Sequence, residues 1–305
     1  MFSSPVKSMG AETHFKYAEN IAEDRVRKSL KTQPKLASYV YSNKASRRGL
    51  CLIVSVDTFE PLLNLPDRPG SDQDIKRVVQ SFSELDFEPF LLKNPSAKSL
   101  LSNMRKMSSE NFSDCDCFAC VILTHGDEGG MIYARDGAVA LDQLIQPFMS
   151  DKCSDLVGKP KLFFIQACRG TKLDEGITFA ETDGPAALQG PLATTSSFKR
   201  IPIEADLLVA YAVQPGYYAF RNSVNGSWFI QALSSCLSKF GRSLDMMSIL
   251  TRVNHQVAYE FESNASTPEY SGKKQMPSIV STLTKDLFFS PKSQQHAAAK
   301  DLASS

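Results

Sequence analysis

The 305-residue sequence has little of what membrane, secreted or nucleic-acid-binding proteins need. Its formal net charge is only +1, so no overall basic surface for nucleic acid is indicated. No run reaches the roughly 18 apolar residues of a membrane span. The first twenty residues lack the apolar core and small-residue cleavage site of a secretory signal. We therefore expect a cytoplasmic protein with no nucleic-acid and no membrane partner.

Cysteine is also sparse, with seven residues at irregular spacing, which does not suit a disulfide framework. We expect reduced thiols. Cys51, Cys120 and Cys236 lie within apolar patterns and are predicted to fill the core. A metal site at Cys115, Cys117 and Cys120 is disfavoured, because no second ligand pair follows at zinc-finger spacing. The sequence predicts neither a metal nor an organic cofactor.

From about residue 49 onward, strand-like and helix-like segments alternate. Apolar runs typical of strands occur at 49–56, 87–92, 118–124, 161–167, 206–213 and 277–284. Helical spacing occurs at 72–82, 99–107, 141–148, 227–240 and 243–261. This alternation predicts an α/β fold with a mostly parallel sheet and helices on both faces. Ligands of such folds bind beyond the carboxyl ends of the strands.

One predicted strand ends at a cysteine that is a candidate nucleophile. Cys168 leaves the apolar strand 161–167 and enters a turn, so its sulfur is expected at the rim of the sheet. A nucleophilic cysteine needs a base within hydrogen-bond reach, because the thiolate is the attacking species. The sequence must therefore supply a base at the same edge.

His125 is the candidate base, because it follows a strand predicted to lie near that of Cys168. Of the other three histidines, His14 and His296 lie in the terminal segments, and His255 lies in a helical pattern. Gly126 allows close approach of its backbone. Its N–H and that of Cys168 are the candidate donors to an oxyanion.

These segments together resemble the caspase family. The sequence Gln-Ala-Cys-Arg-Gly at 166–170, with an upstream histidine, is a caspase signature. Further segments similar to the family are RPGSD at 68–72, HGDEG at 125–129, PGYYAFRNS at 215–223, GSW at 226–228 and KKQMPSIV at 273–280. The resemblance runs from about residue 47 to 289. The short segment before it leaves no room for a recruitment domain of about 90 residues, as is typical of effector caspases.

The resemblance implies a caspase-like sandwich with about six strands, one of them antiparallel. It implies a flexible prosegment at 1–30, a large subunit at 31–183, a small subunit at 184–290 and a disordered tail at 291–305. The segment 171–198 is then the linker, which is rich in small residues. Activating cleavage of the zymogen is predicted after Asp183, with Asp174 in reserve, and prosegment removal after Asp24.

The activity implied by the resemblance is that of a cysteine endopeptidase that cuts proteins after aspartate, at DxxD-type sites, and executes apoptosis. Cys168 and His125 are then the catalytic pair. The residues implied to bind the substrate aspartate are Arg68, Gln166 and Arg221. Those implied at the second pocket are Tyr218, Phe220, where the family pattern has tryptophan, and Tyr270; those at the fourth are Asn222 and Trp228. The loop 263–269 lacks the phenylalanines expected there.

The implied partners are protein substrates, an initiator caspase or similar activating protease, a second copy joined through 278–284, and inhibitor-of-apoptosis proteins. The main alternative is a catalytically silent caspase homologue that acts as a regulator. A cysteine phosphatase is excluded, because Asp174 stands where its phosphate loop needs arginine. A nucleotide-binding domain needs a glycine-rich first turn, whereas residues 57–60 read DTFE.

Overall fold

A computed structural model of the chain describes residues 39–176, 202–265 and 267–292. The strands are β1 (Leu50–Ser55), β2 (Glu88–Lys93), β3 (Phe118–Leu123), β4 (Gly126–Asp127), β5 (Met131–Ala134), β6 (Gly137–Ala140), β7 (Lys161–Gln166), β8 (Leu207–Tyr211), β9 (Arg221–Asn222), β10 (Gly226–Ser227) and β11 (Ser278–Ser281). The α-helices are α1 (Ser71–Glu84), α2 (Ala97–Ser108), α3 (Leu141–Ile145), α4 (Trp228–Phe240) and α5 (Met246–Glu260).

The central sheet has six strands in the order β11-β8-β7-β3-β1-β2. All neighbours pair in parallel except β8 and β11, which are antiparallel. Strands β3 and β7 are buried along their whole length, as expected of strands covered on both faces. The predicted α/β class, the number of strands and the single antiparallel strand are confirmed.

Helices cover both faces of this sheet, because alternate residues of each central strand point to opposite sides. Ile53, Val121 and Phe164 belong to one core, against α1, α4 and α5. Their neighbours Leu52 and Cys120 belong to the other core, against α2 and α3. The continuous apolar runs of the sequence therefore serve two cores at once.

Several local features differ from the sequence expectations. The predicted helix 141–148 is divided into α3 and a 3-10 turn at Gln146–Phe148, which contains Pro147; proline lacks the N–H that an α-helix needs there. β11 ends at Ser281 rather than at residue 284. The short strands β4–β6 and β9–β10 were not predicted. The predicted cleavage positions Asp24 and Asp183 lie outside the described residues.

The described cysteines are all free thiols. The prediction of buried, core-filling thiols at Cys51, Cys120 and Cys236 is confirmed. Cys117 lies in one core, whereas Cys115 and Cys120 lie in the other. Within the described ranges, no group of three or more His, Cys, Asp or Glu side chains is placed to hold a metal ion. Among the same residues, no helix has the length and apolar character to cross a membrane.

A buried ion cluster joins the two ends of the described chain. The Arg48 side chain is fully buried and lies 2.8 Å from Asp116 Oδ2, whose side chain is 3% exposed. Lys292 contacts the same carboxylate. Arg48 also donates to the carbonyl oxygen of Ser290. One acid thus neutralises two cations from opposite ends of the fold.

We predict that Asp116→Ala lowers the free energy of unfolding by about 3–5 kcal/mol, because it removes the nearest counter-charge of a buried arginine and leaves only Asp86, at 3.9 Å. Urea unfolding followed by circular dichroism measures the change. Asp114→Ala is the matched control: Asp114 is 44% exposed and lies 3.5 Å from Arg47, and exposed pairs contribute little. Equal midpoints for the two variants would contradict the prediction.

Candidate active site

The carboxyl ends of β3 and β7 bring His125 and Cys168 to one edge of the sheet. Leu123 pairs with Gln166, and the Thr124 N–H continues the ladder by donating to the Gln166 carbonyl oxygen at 3.1 Å. Next along the chain, Gly126 packs so closely on Cys168 that a Cβ on it would lie 2.3 Å from the Cys168 carbonyl oxygen. Only glycine permits this approach of the two turns.

The imidazole of His125 is held in one tautomer by a backbone carbonyl. Its Nε2 lies 2.8 Å from the Pro66 oxygen. A carbonyl oxygen can only accept, so Nε2 carries the proton and Nδ1 remains as the basic nitrogen. The ring also packs on Phe59, with centroids 4.9 Å apart. Burial, and further the charges of Arg68 and Arg221, lower the pKa of His125 to about 4. The ring is therefore neutral at pH 7.

The Cys168 thiol is half-buried and receives a backbone hydrogen bond. The Ala219 N–H donates to its Sγ at 3.5 Å. Burial raises the pKa of Cys168, while this hydrogen bond and the charges of Arg68 and Arg221 oppose the rise. In the empty site, the thiol and the imidazole are both uncharged near neutral pH. Proton transfer from sulfur to nitrogen therefore belongs to the step in which the sulfur attacks.

Two arginines from distant parts of the sequence meet beside this pair. Arg68 is only 3% exposed, and its guanidinium donates to the Val56 carbonyl oxygen at 3.1 Å and to Ser71 Oγ at 3.2 Å. Arg221, on β9, donates to the Pro69 carbonyl oxygen. Burial and the nearby Arg221 charge lower the pKa of Arg68 to about 10. The two cations form a receptor for a small anion.

Gln166 ends β7 with a side chain that is 2% exposed. Its Oε1 atom is buried without a hydrogen-bond partner within the described part of the chain. An amide oxygen only accepts hydrogen bonds, so a carboxylate ligand would have to bind the Nε2 donor of the same side chain. The structure thus brings Arg68, Gln166, Arg221, His125 and Cys168 into one neighbourhood.

An aromatic surface adjoins the arginine pair. Tyr218 and Tyr270 are 38% and 41% exposed, and the Tyr218 ring lies 5.3 Å from Phe220 and 6.3 Å from Tyr270. Phe220 is buried and stacks on Trp228 at 4.7 Å. Trp228, the first residue of α4, also stacks on Phe261 at 5.5 Å. In the empty site, Trp228 therefore supports the aromatic surface from behind.

Asn222 and Asp174 both hold their own loops. Asn222 Oδ1 accepts from the N–H groups of Val224 and Asn225, each at 2.8 Å, so only its amide Nδ2 remains as a donor for a ligand. The Asp174 carbonyl oxygen accepts from the Lys274 N–H at 2.9 Å. The backbone at Asp174 is thus hydrogen-bonded to that of Lys274.

Sequence reasoning missed the groups that act through the backbone or through a distant contact. The Ala219 N–H contacts Cys168 and the Pro66 carbonyl oxygen contacts His125, yet almost any residue type provides such backbone atoms. Asp74 and Ser227 also lie next to the arginines. Asp74 lies two residues after the RPGSD segment and Ser227 lies within the GSW segment. Their position in or beside these two motifs is the sequence signal that could have identified them.

Comparison with known proteins assigns these residues to a common family. Residues 48–288 match the family described as Caspase domain. The chain is 41% identical to caspase-7 of Gallus gallus over 291 residues, covering 94% of this chain and 92% of the relative. It is 44% identical to caspase-3 of Felis catus over 242 residues, covering 79% and 83%.

A solved structure agrees with these relatives. The crystal structure of caspase-1 from Spodoptera frugiperda superposes with a TM-score of 0.77 at 35% sequence identity. The match covers 84% of this chain and 95% of that one.

We predict slow alkylation of Cys168 by iodoacetamide at pH 7 in the substrate-free protein. Its pKa is raised, so the thiolate fraction at pH 7 is smaller than for a free cysteine and grows as the pH rises through that pKa. Mass spectrometry of the modified peptide gives the rate at each pH. Cys168 is the one described cysteine that is not buried, which makes the labelling selective.

Arg221→Gln tests the electrostatic part of this prediction. Loss of the positive charge should move the alkylation profile to still higher pH, because that charge favours the thiolate. A profile that reaches its plateau below pH 7 in the parent protein would show a pre-formed thiolate and would refute the uncharged pair.

Proposed function

The chain belongs to the caspase family of cysteine endopeptidases, and we propose that it is an effector caspase that cleaves proteins after aspartate and executes apoptosis. The observation that carries this proposal is the pair formed by the buried Arg68 and the half-buried Arg221 beside His125 and Cys168. Guanidinium groups bind a carboxylate through paired, charge-assisted hydrogen bonds. A neutral substrate side chain leaves these buried donors unpaired and is rejected.

The proposed reaction proceeds through an acyl-enzyme. Cys168 Sγ attacks the main-chain carbonyl carbon of the substrate aspartate, and the thiol proton moves to His125 Nδ1. The N–H groups of Gly126 and Cys168 stabilise the oxyanion. The protonated imidazole then gives its proton to the leaving amine. Water, deprotonated by His125, releases the acid product.

Substrate binding itself makes His125 a stronger base. The charges of Arg68 and Arg221 contribute to the lowered pKa of His125. A substrate carboxylate between the two arginines compensates those charges, so the pKa of His125 rises when the correct residue is bound. Binding of the substrate aspartate and the basicity of His125 are therefore coupled through the charges of Arg68, Arg221 and the substrate carboxylate.

We propose DxxD-type sites as the extended specificity. The exposed rings of Tyr218 and Tyr270, with Phe220 between them and the core, suit an apolar side chain at the substrate residue that precedes the cleaved aspartate. Asn222 Nδ2 is the donor for an aspartate in the fourth pocket. Loop 263–269 adds no phenylalanine there, so this pocket depends more heavily on Asn222.

The proposed enzyme is a cytoplasmic zymogen that an initiator caspase or similar protease activates by cutting after Asp183. It works as a homodimer of large and small subunit pairs, and inhibitor-of-apoptosis proteins are proposed regulators. Strand β11 supports the dimer, because it ends the sheet with only β8 as a neighbour and leaves Val280 51% exposed. An edge of this kind pairs readily with a second strand.

We predict that the processed enzyme prefers a peptide ending in Asp over the matched Asn peptide by about 10⁴-fold in kcat/KM. Arg221→Gln should lower kcat/KM for the Asp peptide by roughly 100-fold or more, because a charged contact to the substrate is lost. Cys168→Ala should abolish turnover of both peptides. Fluorogenic peptides provide the measurement.

Arg105→Gln is the matched control. Arg105 is exposed on α2, and α2 packs on the opposite face of the sheet from α1. Its kinetics should equal those of the parent. Equal cleavage after Asp and Asn by the parent enzyme would refute the proposed specificity.

We predict that Asp183→Ala prevents an initiator caspase from separating the large and small subunits, because the protease requires aspartate at the cut. Electrophoresis of the digested zymogen shows the fragments. Asp174→Ala is the control and should be processed normally, since the chain at Asp174 is paired with Lys274. Parental processing of Asp183→Ala would place the cut elsewhere.

A further inference from the structure

Asp74 is a buried carboxylate for which the proposed reaction has no use. It lies in the first turn of α1 and is 0% exposed. Its Oδ1 accepts from the Ser227 N–H at 2.8 Å, and its Oδ2 accepts from the Ser227 hydroxyl at 2.6 Å. A buried charge is costly unless it is well hydrogen-bonded, so this contact demands an explanation.

The contact reaches Arg221 in one further step. Ser227 of β10 pairs directly with Arg221 of β9. Asp74 therefore ties the short hairpin that carries Arg221 to the helix that begins just after Arg68. Gly226 fits the same arrangement, because a Cβ there would lie 2.3 Å from Asp74 Oδ1. The hairpin and the carboxylate are built to fit closely.

Asp74 is coupled electrostatically to both arginines: burial raises the pKa of Asp74, while the Ser227 hydrogen bonds and the charges of Arg68 and Arg221 oppose that rise. Burial lowers the pKa of both Arg68 and Arg221, and the negative charge of Asp74 opposes that effect in each. Neither arginine lies within 4.0 Å of its oxygens among the described residues, since all close partners of the carboxylate belong to Ser227. The guanidinium groups are thus not held in an ion pair with Asp74, and their N–H groups beyond those bonded to Val56, Ser71 and Pro69 can bind a ligand.

We propose that Asp74 is a positioning residue for the aspartate pocket, and that its contact with Ser227 holds Arg221 opposite Arg68 before substrate binds. This inference rests on the proposed specificity for aspartate. The contact joins residues 153 positions apart, one on each side of Asp183, so it also bonds the large to the small subunit. Without it, part of the binding energy of the substrate is consumed in ordering the hairpin.

The effect should appear in KM rather than in kcat. Arg221 contacts the substrate side chain in the Michaelis complex and in the transition state alike, and loss of such uniform binding raises KM. For Asp74→Ala we expect KM for the Asp peptide to rise about tenfold, because two hydrogen bonds to a charged group are lost. Its kcat should stay within about twofold of the parent.

Ser227→Ala probes the other side of the contact. It removes the hydroxyl but keeps the backbone N–H donor, so its KM should lie between those of the parent and Asp74→Ala. The double variant should be no worse than Asp74→Ala alone, because both changes remove the same contact. A purely additive result would contradict a shared role.

Trp228 gives a readout that does not need turnover. It is the single tryptophan of the chain, follows Ser227 directly and is 7% exposed. Its emission should shift to the red in Asp74→Ala, and a saturating peptide aldehyde ending in Asp should reverse the shift. If the parent enzyme does not turn over Asp peptides, the proposed function is refuted. The Trp228 emission of Asp74→Ala, compared with that of the parent, still tests the Asp74–Ser227 contact in that case.

Asp72→Ala is the matched control on the same helical turn. Asp72 is 67% exposed and pairs with Lys93 at 3.0 Å, so KM and emission should equal those of the parent. Parental KM and emission in folded Asp74→Ala, or a loss confined to kcat, would overturn the proposal. If Asp74→Ala does not fold, Asp74→Asn and Ser227→Ala decide, and parental values in both would overturn it.

Discussion

The site depends on holding two like charges close together, one of them buried and the other half-buried. Arg68 and Arg221 come from opposite halves of the sequence, and burial acts against the charged form of each. Nothing in a short peptide keeps such a pair together. The α1 turn and the β9–β10 hairpin are held in place by the surrounding fold. The negative charge of Asp74 opposes the effect of burial on both arginines, and the substrate carboxylate proposed to bind there would oppose it further.

The register of the sheet explains the second half of the site. Parallel pairing of β3 with β7 fixes which residues leave the sheet together, and the ladder ends at Thr124 and Gln166. His125 and Cys168 follow with no intervening segment that could shift them. The placement of the candidate nucleophile and base is therefore a consequence of strand alignment, while the placement of Arg68 and Arg221 depends on segments outside the central sheet.

This division decides what the sequence could predict. The central strands were found because residues such as Val121 and Phe164 lie in continuous apolar runs, and their ends pointed to Cys168 and His125. Arg68 and Arg221 are ordinary polar residues by pattern, and only the family resemblance singled them out. The Ala219 N–H and the Asp74–Ser227 contact were missed, because they depend on tertiary proximity. The two-residue strands β9 and β10 are too short for a periodic signal.

If the chain is cut after Asp183 as proposed, the pairing of β7 with β8 has a consequence for the lifetime of the product. The two strands are neighbours in the sheet, although the connection between them contains Asp183. A cut there would leave the folded halves joined only by non-covalent contacts, among them the β7–β8 pairing and the Asp74–Ser227 hydrogen bonds. If such a molecule unfolds, its pieces diffuse apart, and the high local concentration once provided by the tether is gone. Reassembly then requires two separate pieces to meet at cellular dilution. Each unfolding event is therefore in practice final, and the rate of unfolding sets how long the cut molecule persists.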